Sequence, residues 1–236
     1  MNNWQSDILT VLDGCASEEH VFQAVASSVC ALGFEWAAFG IESPSMQAEP
    51  QIAMINNYPE KWQAHYHARR YLAADPTVAN ARNSQALSVW SNHGFAACPQ
   101  LWEDAQAFDL RVGVAQSCFG EYSKSLLTLA RSREEFTLAE RESKRANIRW
   151  LVSTAHMYIS RYYRNNQADA CRHQLTKREV EVLKWTGVGR TSPEISALLF
   201  ISENTVNYHI KNAVAKLKVE NKTAAAVILA MWGVFC

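Results

Sequence analysis

Apolar residues recur along this chain with two different periods. From Trp4 to Leu12, and again from Val21 to Leu32, they fall three and four apart, the spacing of a helix with one buried face. Val21, Phe22, Val25, Val29 and Leu32 make the second stripe, with Ser17 as its N-cap and Gly33 as its stop. Glu35 to Glu42 and Gln51 to Asn57 are apolar runs of strand length, separated by a break at Ser43-Pro44. Pro59 opens a helix through about Arg70, and Asp75-Pro76 opens another. Leu87 to Trp90 reads as a short strand, and Pro99 precedes a helix over Leu101 to Phe108. Gly113 to Phe119 and Ser125 to Arg131 flank Gly120-Glu121-Tyr122-Ser123 as a hairpin, and Thr137 caps a long helix reaching about Tyr163. The order predicts an α/β/α sandwich, and the hairpin makes its sheet largely antiparallel.

Beyond this point only the helical period survives. Asn165 to Gln174 (NNQADACRHQ) is polar and aperiodic and reads as a linker. Lys177 to Thr186 forms a helix with Val180, Leu183 and Trp185 inward, and Gly187 and Gly189 can take the positive φ that ends it. Ser192 is placed as the next N-cap, with Pro193 at the first helical position, before Ile195, Leu198 and Leu199. Ile201 is a connector, and Ser202 caps a longer helix to about Leu217. In it Val206, Ile210, Ala213 and Leu217 fall at i, i+4, i+7 and i+11, one apolar stripe. Two helices across a tight turn, the second amphipathic and polar-tipped, describe a helix-turn-helix whose second helix enters the DNA major groove. The residues placed to meet DNA are Thr191, Ser202, Asn204, Thr205, Asn207, Tyr208, Lys211, Asn212 and Lys216. Lys211 and Tyr208 point away from the apolar stripe toward base edges, and Lys216 toward phosphate. An ordinary pair of surface helices would show the same periodicity. The expected organisation is α+β, with residues 1–164 as one domain, 165–174 as linker and 175–236 as a second, all-α domain; the resemblances described below imply a ligand-binding and dimerisation role for the first and a four-helix DNA-binding role for the second.

Charge sharpens this division. The chain carries 23 Lys and Arg against 23 Asp and Glu. Residues 174–236 hold eight basic against five acidic residues, a net +3, and the remainder carries the opposite excess. The positive end is the one expected to meet phosphate, and its small excess predicts weak binding by a single copy. Six scattered cysteines without a CxxC pair read as reduced, mostly buried thiols of a cytoplasmic protein. The beginning of the chain lacks the basic flank and long apolar core of a signal peptide, and no apolar run is long enough to span a membrane.

The candidate chemistry lies between Tyr58 and Trp90. Tyr58, Trp62 and Tyr66 are spaced four apart, so one helix face presents three aromatics that each carry a hydrogen-bonding group. Purely apolar packing favours Leu, Ile or Phe, because a buried indole N–H or phenol needs a partner. Asp75 and Trp90 follow, and polar groups converging amid aromatics suit a small amphiphilic ligand. Two plainer readings stand beside this one: an aromatic stripe can be core, and Asp75 before Pro76 has the form of a helix N-cap.

Two stretches resemble known families. The string from Leu175 onward resembles the LuxR-type DNA-binding domain in one gap-free register. The matching marks are Leu175-Thr176 with Arg178-Glu179, Leu183, Trp185, Gly189, Glu194-Ile195, Ile201-Ser202-Glu203, Thr205-Val206-Asn207, His209, Asn212, Lys216-Leu217 and Asn221-Lys222. The resemblance implies a four-helix module whose last helix, about Thr223 to Trp232, carries a dimer contact. The earlier stretch resembles the autoinducer-binding domain of LuxR-type quorum-sensing regulators at Trp62, Tyr66, Asp75-Pro76, Trp90 and Gly113, with Asn57-Tyr58-Pro59 also fitting. It implies an N-acyl-homoserine lactone as ligand and no cofactor or metal. Trp62 then donates to the lactone carbonyl, Asp75 accepts the ligand amide N–H, and Tyr58, with Thr128, serves the amide carbonyl. Trp90 packs on the lactone ring, Tyr66 walls the acyl chain, and Gly113 is a backbone requirement. The implied partners are double-stranded DNA carrying an inverted repeat, a second copy of the chain, and RNA polymerase if the protein activates. The alternative is a regulator of the same architecture that senses a different small molecule or none.

Other classes fit less well. His65 and His67 are two apart on a helix and point in different directions, so they cannot chelate together, and no G-x-S-x-G, H-E-x-x-H or phosphate-binding loop is present. The chain is not expected to be an enzyme. A phosphorylation-controlled receiver needs a buried strand ending in Asp, which residues 1–160 do not show. A plain interaction module remains, and it predicts no small molecule in the N-terminal domain.

Overall fold

The computed structural model describes residues 4–43, 51–133 and 135–235. Pro44 of the expected chain break and Cys236 lie outside them. The chain divides into two compact units, one ending at Ser160 and the other beginning at Arg161.

The first unit is built on α1 (Trp4–Asp13), α2 (Glu18–Ala31), β1 (Trp36–Ser43), β2 (Gln51–Asn56), α3 (Glu60–Ala68), a 3₁₀ turn (Tyr71–Ala73) and α4 (Pro76–Ala81). It continues through β3 (Ser88–Val89), α5 (Pro99–Ala107), β4 (Val112–Phe119), β5 (Lys124–Arg131) and the start of α6 (Leu138–Gln174). The five strands form one sheet in the order β2-β1-β5-β4-β3, with every neighbouring pair antiparallel. Strand alternation divides its two faces. Phe39 and Ile41 of β1 and Leu127 and Leu129 of β5 are buried on one face. There α2 packs on β1, and Ser125 Oγ meets His156 Nδ1 of α6 at 2.9 Å. The intervening residues, Ala38, Gly40, Leu126 and Thr128, face the layer of α3, α4 and the 3₁₀ turn. This is the expected α/β/α sandwich, and Ser17, Asp75 and Thr137 act as the N-caps that were anticipated.

One corner ties three elements together. Both terminal guanidinium nitrogens of Arg131, at the end of β5, donate to Glu140 of α6 at 2.8 and 2.9 Å. Lys144 donates to the same carboxylate and to the Leu32 carbonyl just past α2, each at 2.5 Å. The Arg131 and Lys144 hydrogen bonds hold the Glu140 carboxyl down at about 2.

The second unit contains α7 (Lys177–Gly187), α8 (Ser192–Leu199), α9 (Glu203–Leu217) and α10 (Lys222–Met231). Two apolar clusters hold it: Leu183, Ala213, Ala225 and Leu229 in one, and Val182, Ile195 and Val206 in the other. Residues 165–174, expected as an aperiodic linker, are helical, being the last turns of α6. Ala168, Cys171 and Leu175 stand at i, i+3 and i+7, and all three are buried in the first cluster. The polar residues around them masked a sparse stripe of small apolar positions. Two further differences are local. Thr191, not Ser192, caps α8, because Thr191 completes a reciprocal capping box with Glu194 and leaves Pro193 at the second helical position. Of the two glycines expected to end α7, only Gly189 takes a positive φ, 93°; Gly187 is the last residue of the helix. Nor are the cysteines mostly buried: among the described residues Cys171 is, Cys30 is exposed, and Cys15, Cys98 and Cys118 are intermediate. No described helix is long and apolar enough to cross a membrane.

Candidate functional site

In the first unit a cavity of about 1060 Å³ lies between the sheet and the layer of α3, the 3₁₀ turn and α4. All six residues singled out from the sequence, Tyr58, Trp62, Tyr66, Asp75, Trp90 and Thr128, line it. The register explains how residues 70 apart in sequence meet. Ala38 of β1 stands between Asn56 of β2 and Thr128 of β5. The chain leaves β2 at Asn56 and rises directly into Tyr58, whose backbone N–H is caught by the Asn56 side chain at 3.1 Å. The Tyr58 hydroxyl therefore lands on Thr128, and the two share a hydrogen bond of 3.0 Å.

Asp75 holds two positions at once. Its Oδ1 accepts the Thr77 N–H at 2.8 Å and the Thr77 hydroxyl at 2.6 Å, which makes it the N-cap of α4. Its Oδ2 accepts the Tyr66 hydroxyl at 2.9 Å. Tyr66 is thus more than a wall: it orients the outer carboxylate oxygen, which keeps one lone pair for a further donor. Burial pushes the Asp75 carboxyl above the usual carboxylate range, and the Thr77 and Tyr66 donors pull against that rise. Burial also raises the Tyr58 and Tyr66 phenols, so both remain neutral donors.

Trp62 is 5% exposed and sits in an aromatic layer with Tyr66 and Phe108 at ring distances of 5.7 and 5.6 Å. Trp90 packs edge-on to Phe95 and Trp102. Its indole N–H is buried and, among the described residues, has no hydrogen-bond partner. Gly113 explains where that indole lies. A Cβ there would come within 2.2 Å of the Trp90 ring, so Gly113 is required for close approach rather than for an unusual φ.

Behind this wall is a group that the sequence did not single out as a site. Asp104 of α5 accepts from the Tyr71 hydroxyl at 2.6 Å and Gln100 at 2.8 Å, and His65 Nε2 lies 2.6 Å from it. The Tyr71 and His65 contacts hold the Asp104 carboxyl at about 2. The cluster fixes α3 and the 3₁₀ turn to α5 and thereby the placement of Trp62. Its members come from three elements and share no local motif, so no spacing rule announces them.

In the second unit α8 and α9 form the helix-turn-helix. Ser202 caps α9 through Thr205, Thr205 also meets the Ser202 hydroxyl at 2.8 Å, and Ser192 donates to Asn207 at 2.8 Å across the two helices. Asn204, Asn207, Tyr208 and Lys211 are exposed on α9, Thr191 and Ser202 are exposed at the two caps, and Thr205 and Asn212 are half-buried. Val206 and Ala213 are fully buried beneath them. Lys216 is engaged differently from its companions: its ammonium lies 2.8 and 3.0 Å from the two oxygens of Glu179. Glu179 is 2% exposed and also closes the capping box of α7 with Thr176. Burial raises its carboxyl, and Lys216 and Thr176 together reverse that rise, leaving it below the ordinary value.

Comparison with known proteins agrees with both units. Residues 17–159 match the autoinducer binding domain, and residues 173–229 match the bacterial regulatory proteins of the luxR family. The chain is 37% identical over 236 residues to the transcriptional activator protein AnoR of Acinetobacter nosocomialis, covering 99% of each chain. It is 39% identical over 211 residues to the transcriptional activator protein SolR of Ralstonia nicotianae, covering 89% of each. Among solved structures, Escherichia coli SdiA superposes with a TM-score of 0.75 at 30% identity, over 99% of this chain and 98% of that one. SdiA in complex with octanoyl-rac-glycerol gives 0.73 at 30% identity, over 98% and 96%. With both domains matched and relatives aligned along its whole length, the chain belongs to the LuxR family, as a quorum-sensing transcriptional regulator that joins an autoinducer-binding domain to a helix-turn-helix DNA-binding domain.

Proposed function

We propose that the cavity takes an N-acyl-homoserine lactone and that the chain binds an inverted-repeat promoter site as a homodimer. The observation that carries the ligand assignment is that Asp75, the hydrogen-bonded Tyr58–Thr128 pair, Trp62 and Trp90 all line one cavity, with Asp75 Oδ2 set by Tyr66. A lactone of this class has one amide donor and two or three carbonyl acceptors, so it calls for one acceptor and several O–H and N–H donors. Asp75 receives the amide N–H, which also satisfies a carboxylate whose burial is otherwise costly. Tyr58 and Thr128 serve the amide carbonyl, Trp62 donates to the lactone carbonyl, Trp90 packs on the ring, and Tyr66 both orients Asp75 and borders the acyl chain. The eight-carbon acyl group bound by the related SdiA supports an acyl tail in the same fold.

On the DNA side, Lys211 and Tyr208 address base edges. Asn204, Asn207, Thr205, Asn212, Thr191 and Ser202 fix the helix at the backbone and groove, while Lys216, at its C-terminal end, braces α9 through Glu179. The domains run over 1–164 and 175–236 with 165–174 between them, a division supported by family matches that end at 159 and resume at 173. The relatives named as activators favour contact with RNA polymerase. Mass spectrometry of the protein purified from cells supplied with a mixture of acyl-homoserine lactones tests the assignment: one lactone retained stoichiometrically is expected. Retention of a non-lactone metabolite, or of nothing, turns the reading to a regulator of the same architecture with another signal or none.

A further inference from the structure

The sheet forms the floor of the cavity. Three rungs of the sheet face it, each two residues beyond the last. The first is Asn56–Ala38–Thr128, beneath Tyr58. The second is Met54–Gly40–Leu126 and is apolar. The third is Ile52–Glu42–Lys124 and is charged at two of its three positions. The charged rung is also where the end of α4 is tied to the sheet. Arg82, at the C-terminal end of α4, donates from Nε to Glu42 at 2.7 Å, and Lys124 donates to the Arg82 backbone carbonyl at 2.7 Å. Glu42, Arg82 and Lys124 all line the cavity, so one end is built for an amide and a lactone while the other is a charged clasp.

We infer that this clasp sets the length of the acyl chain and that the preferred signal carries about eight carbons; the inference rests on the lactone assignment above. From the Thr128 rung to the Lys124 rung is four residues, or about 13 Å at roughly 3.3 Å per residue. A terminal methyl must stop about 4 Å short of the charged groups. An extended chain advances roughly 1.2 Å per bond, so about seven or eight bonds fit beyond the carbonyl carbon at Tyr58. Shorter tails leave the apolar middle rung uncovered. Longer tails push methylenes against Glu42 and Arg82, which an apolar group cannot satisfy. Gly40 sets the clearance over the middle rung: a Cβ there would meet only ordinary contacts, 3.8 Å to Ile52 and 4.0 Å to the Ala53 carbonyl. Larger side chains fit the backbone and project over the path of the tail.

The test is calorimetry on the full chain with unsubstituted N-acyl-homoserine lactones of four to fourteen carbons. For the wild type, each added methylene tightens binding roughly threefold to fourfold up to about eight carbons, and at twelve carbons affinity falls at least tenfold from the optimum. Arg82→Ala, which removes an ion pair whose Arg side chain is 42% exposed, is expected to recover the twelve-carbon lactone at least tenfold and leave the four- and six-carbon lactones unchanged. Gly40→Val is expected to move the optimum to six carbons or fewer, with valine well suited to a strand. A wild-type optimum at four or fourteen carbons overturns the inference, as does an Arg82→Ala profile superimposable on the wild type's. Failure of Gly40→Val to fold leaves Arg82→Ala to decide. Binding of no lactone at any length by folded protein overturns the lactone assignment itself.

Discussion

Asp75 shows how one side chain can cap a helix and still line a cavity. Its two oxygens are divided, one to Thr77 and one to Tyr66, and the roles separate by substitution. Asn caps a helix as well as Asp does, so Asp75→Asn keeps the start of α4 but turns an amide donor toward the ligand's amide N–H. The expected loss of lactone affinity is roughly 1.5–3 kcal/mol, the range for a hydrogen bond to a charged group. Stability should move the other way or not at all. Burial raises the Asp75 pKa, so its contribution to the ligand-free protein is present below the ordinary carboxylate range and is lost as pH rises through the raised value. At neutral pH the variant without lactone should therefore melt at or above the wild-type temperature. An unchanged lactone dose response in this variant would show that Asp75 is only a cap. This residue also marks how far the sequence can be read. Asp75-Pro76 announces a cap because capping is local, and the four-residue aromatic spacing announces a shared helix face. That Tyr66 donates to Asp75, that Tyr58 reaches Thr128, and that Trp90 lies over Gly113 depend on sheet register and on the path between elements, which no local pattern encodes.

Between elements, the decisive contacts are charged side chains whose partners lie far away in sequence. Lys216 reads as a phosphate contact from its place on α9, yet its ammonium bridges α9 to the buried Glu179 of α7. Removing it strands a carboxylate that is 2% exposed. Lys216→Ala should cost about 2–3 kcal/mol, below the usual figure for a fully buried pair because the lysine is 38% exposed. Below its melting temperature, the variant's salt slope of DNA binding should match the wild type's; a slope flatter by about 1 per half-site would return Lys216 to the phosphates. Lys211→Ala should instead relax base preference at one position of each half-site at little cost in stability, and indistinguishable selection profiles for the two variants would sink this division of roles. The corner at Glu140 makes a pH prediction. Glu140 is held at about 2 by Arg131 and Lys144, and Asp104 at about 2 by Tyr71 and His65. Carboxyls lowered in the folded state give stability that is present above the ordinary carboxylate range and lost as pH falls through the folded value. The first unit should therefore lose stability between about pH 4.5 and 2, and Glu140→Gln should be less stable at neutral pH but flatter over that window. An unchanged acid limb would show that the corner does not drive acid unfolding. The helix over residues 165–174 was hidden for a related reason: Ala168 and Cys171 are small, and their burial is decided by Leu229 and Trp232 some sixty residues later.

At the scale of the whole molecule, charge and stability bear on how a signal becomes occupancy of DNA. The chain is neutral overall, and residues 174–236 carry only +3, so phosphate attraction gives a single copy little affinity. Specific binding then needs two copies, and a two-fold dimer reads half-sites one helical turn apart, about 10 base pairs centre to centre. The ligand acts earlier in this sequence of equilibria. In the proposed complex it touches Tyr58, Trp62, Asp75, Trp90 and Thr128, which line one cavity only in the folded sheet and the layer above it, so it is expected to bind the folded state and not the unfolded chain. At about a thousand times its dissociation constant it adds ~4 kcal/mol of stability, comparable to the whole margin of a weak domain. For a domain of this size that corresponds to a rise in melting temperature of about 8–16 °C. On the proposed reading, more folded protein is expected to give more dimer and more occupied DNA without a separate signal passing from one domain to the other. Two measurements test this. The melting temperature should rise with a medium-chain acyl-homoserine lactone and not with its ring-opened acid at equal concentration; no shift with any lactone removes the stabilisation argument. Footprinting on inverted repeats should lose occupancy when five base pairs are inserted between half-sites, because half a turn puts the second groove on the opposite face of the duplex. Binding indifferent to that insertion would replace the rigid two-fold dimer with two DNA-binding domains that act independently.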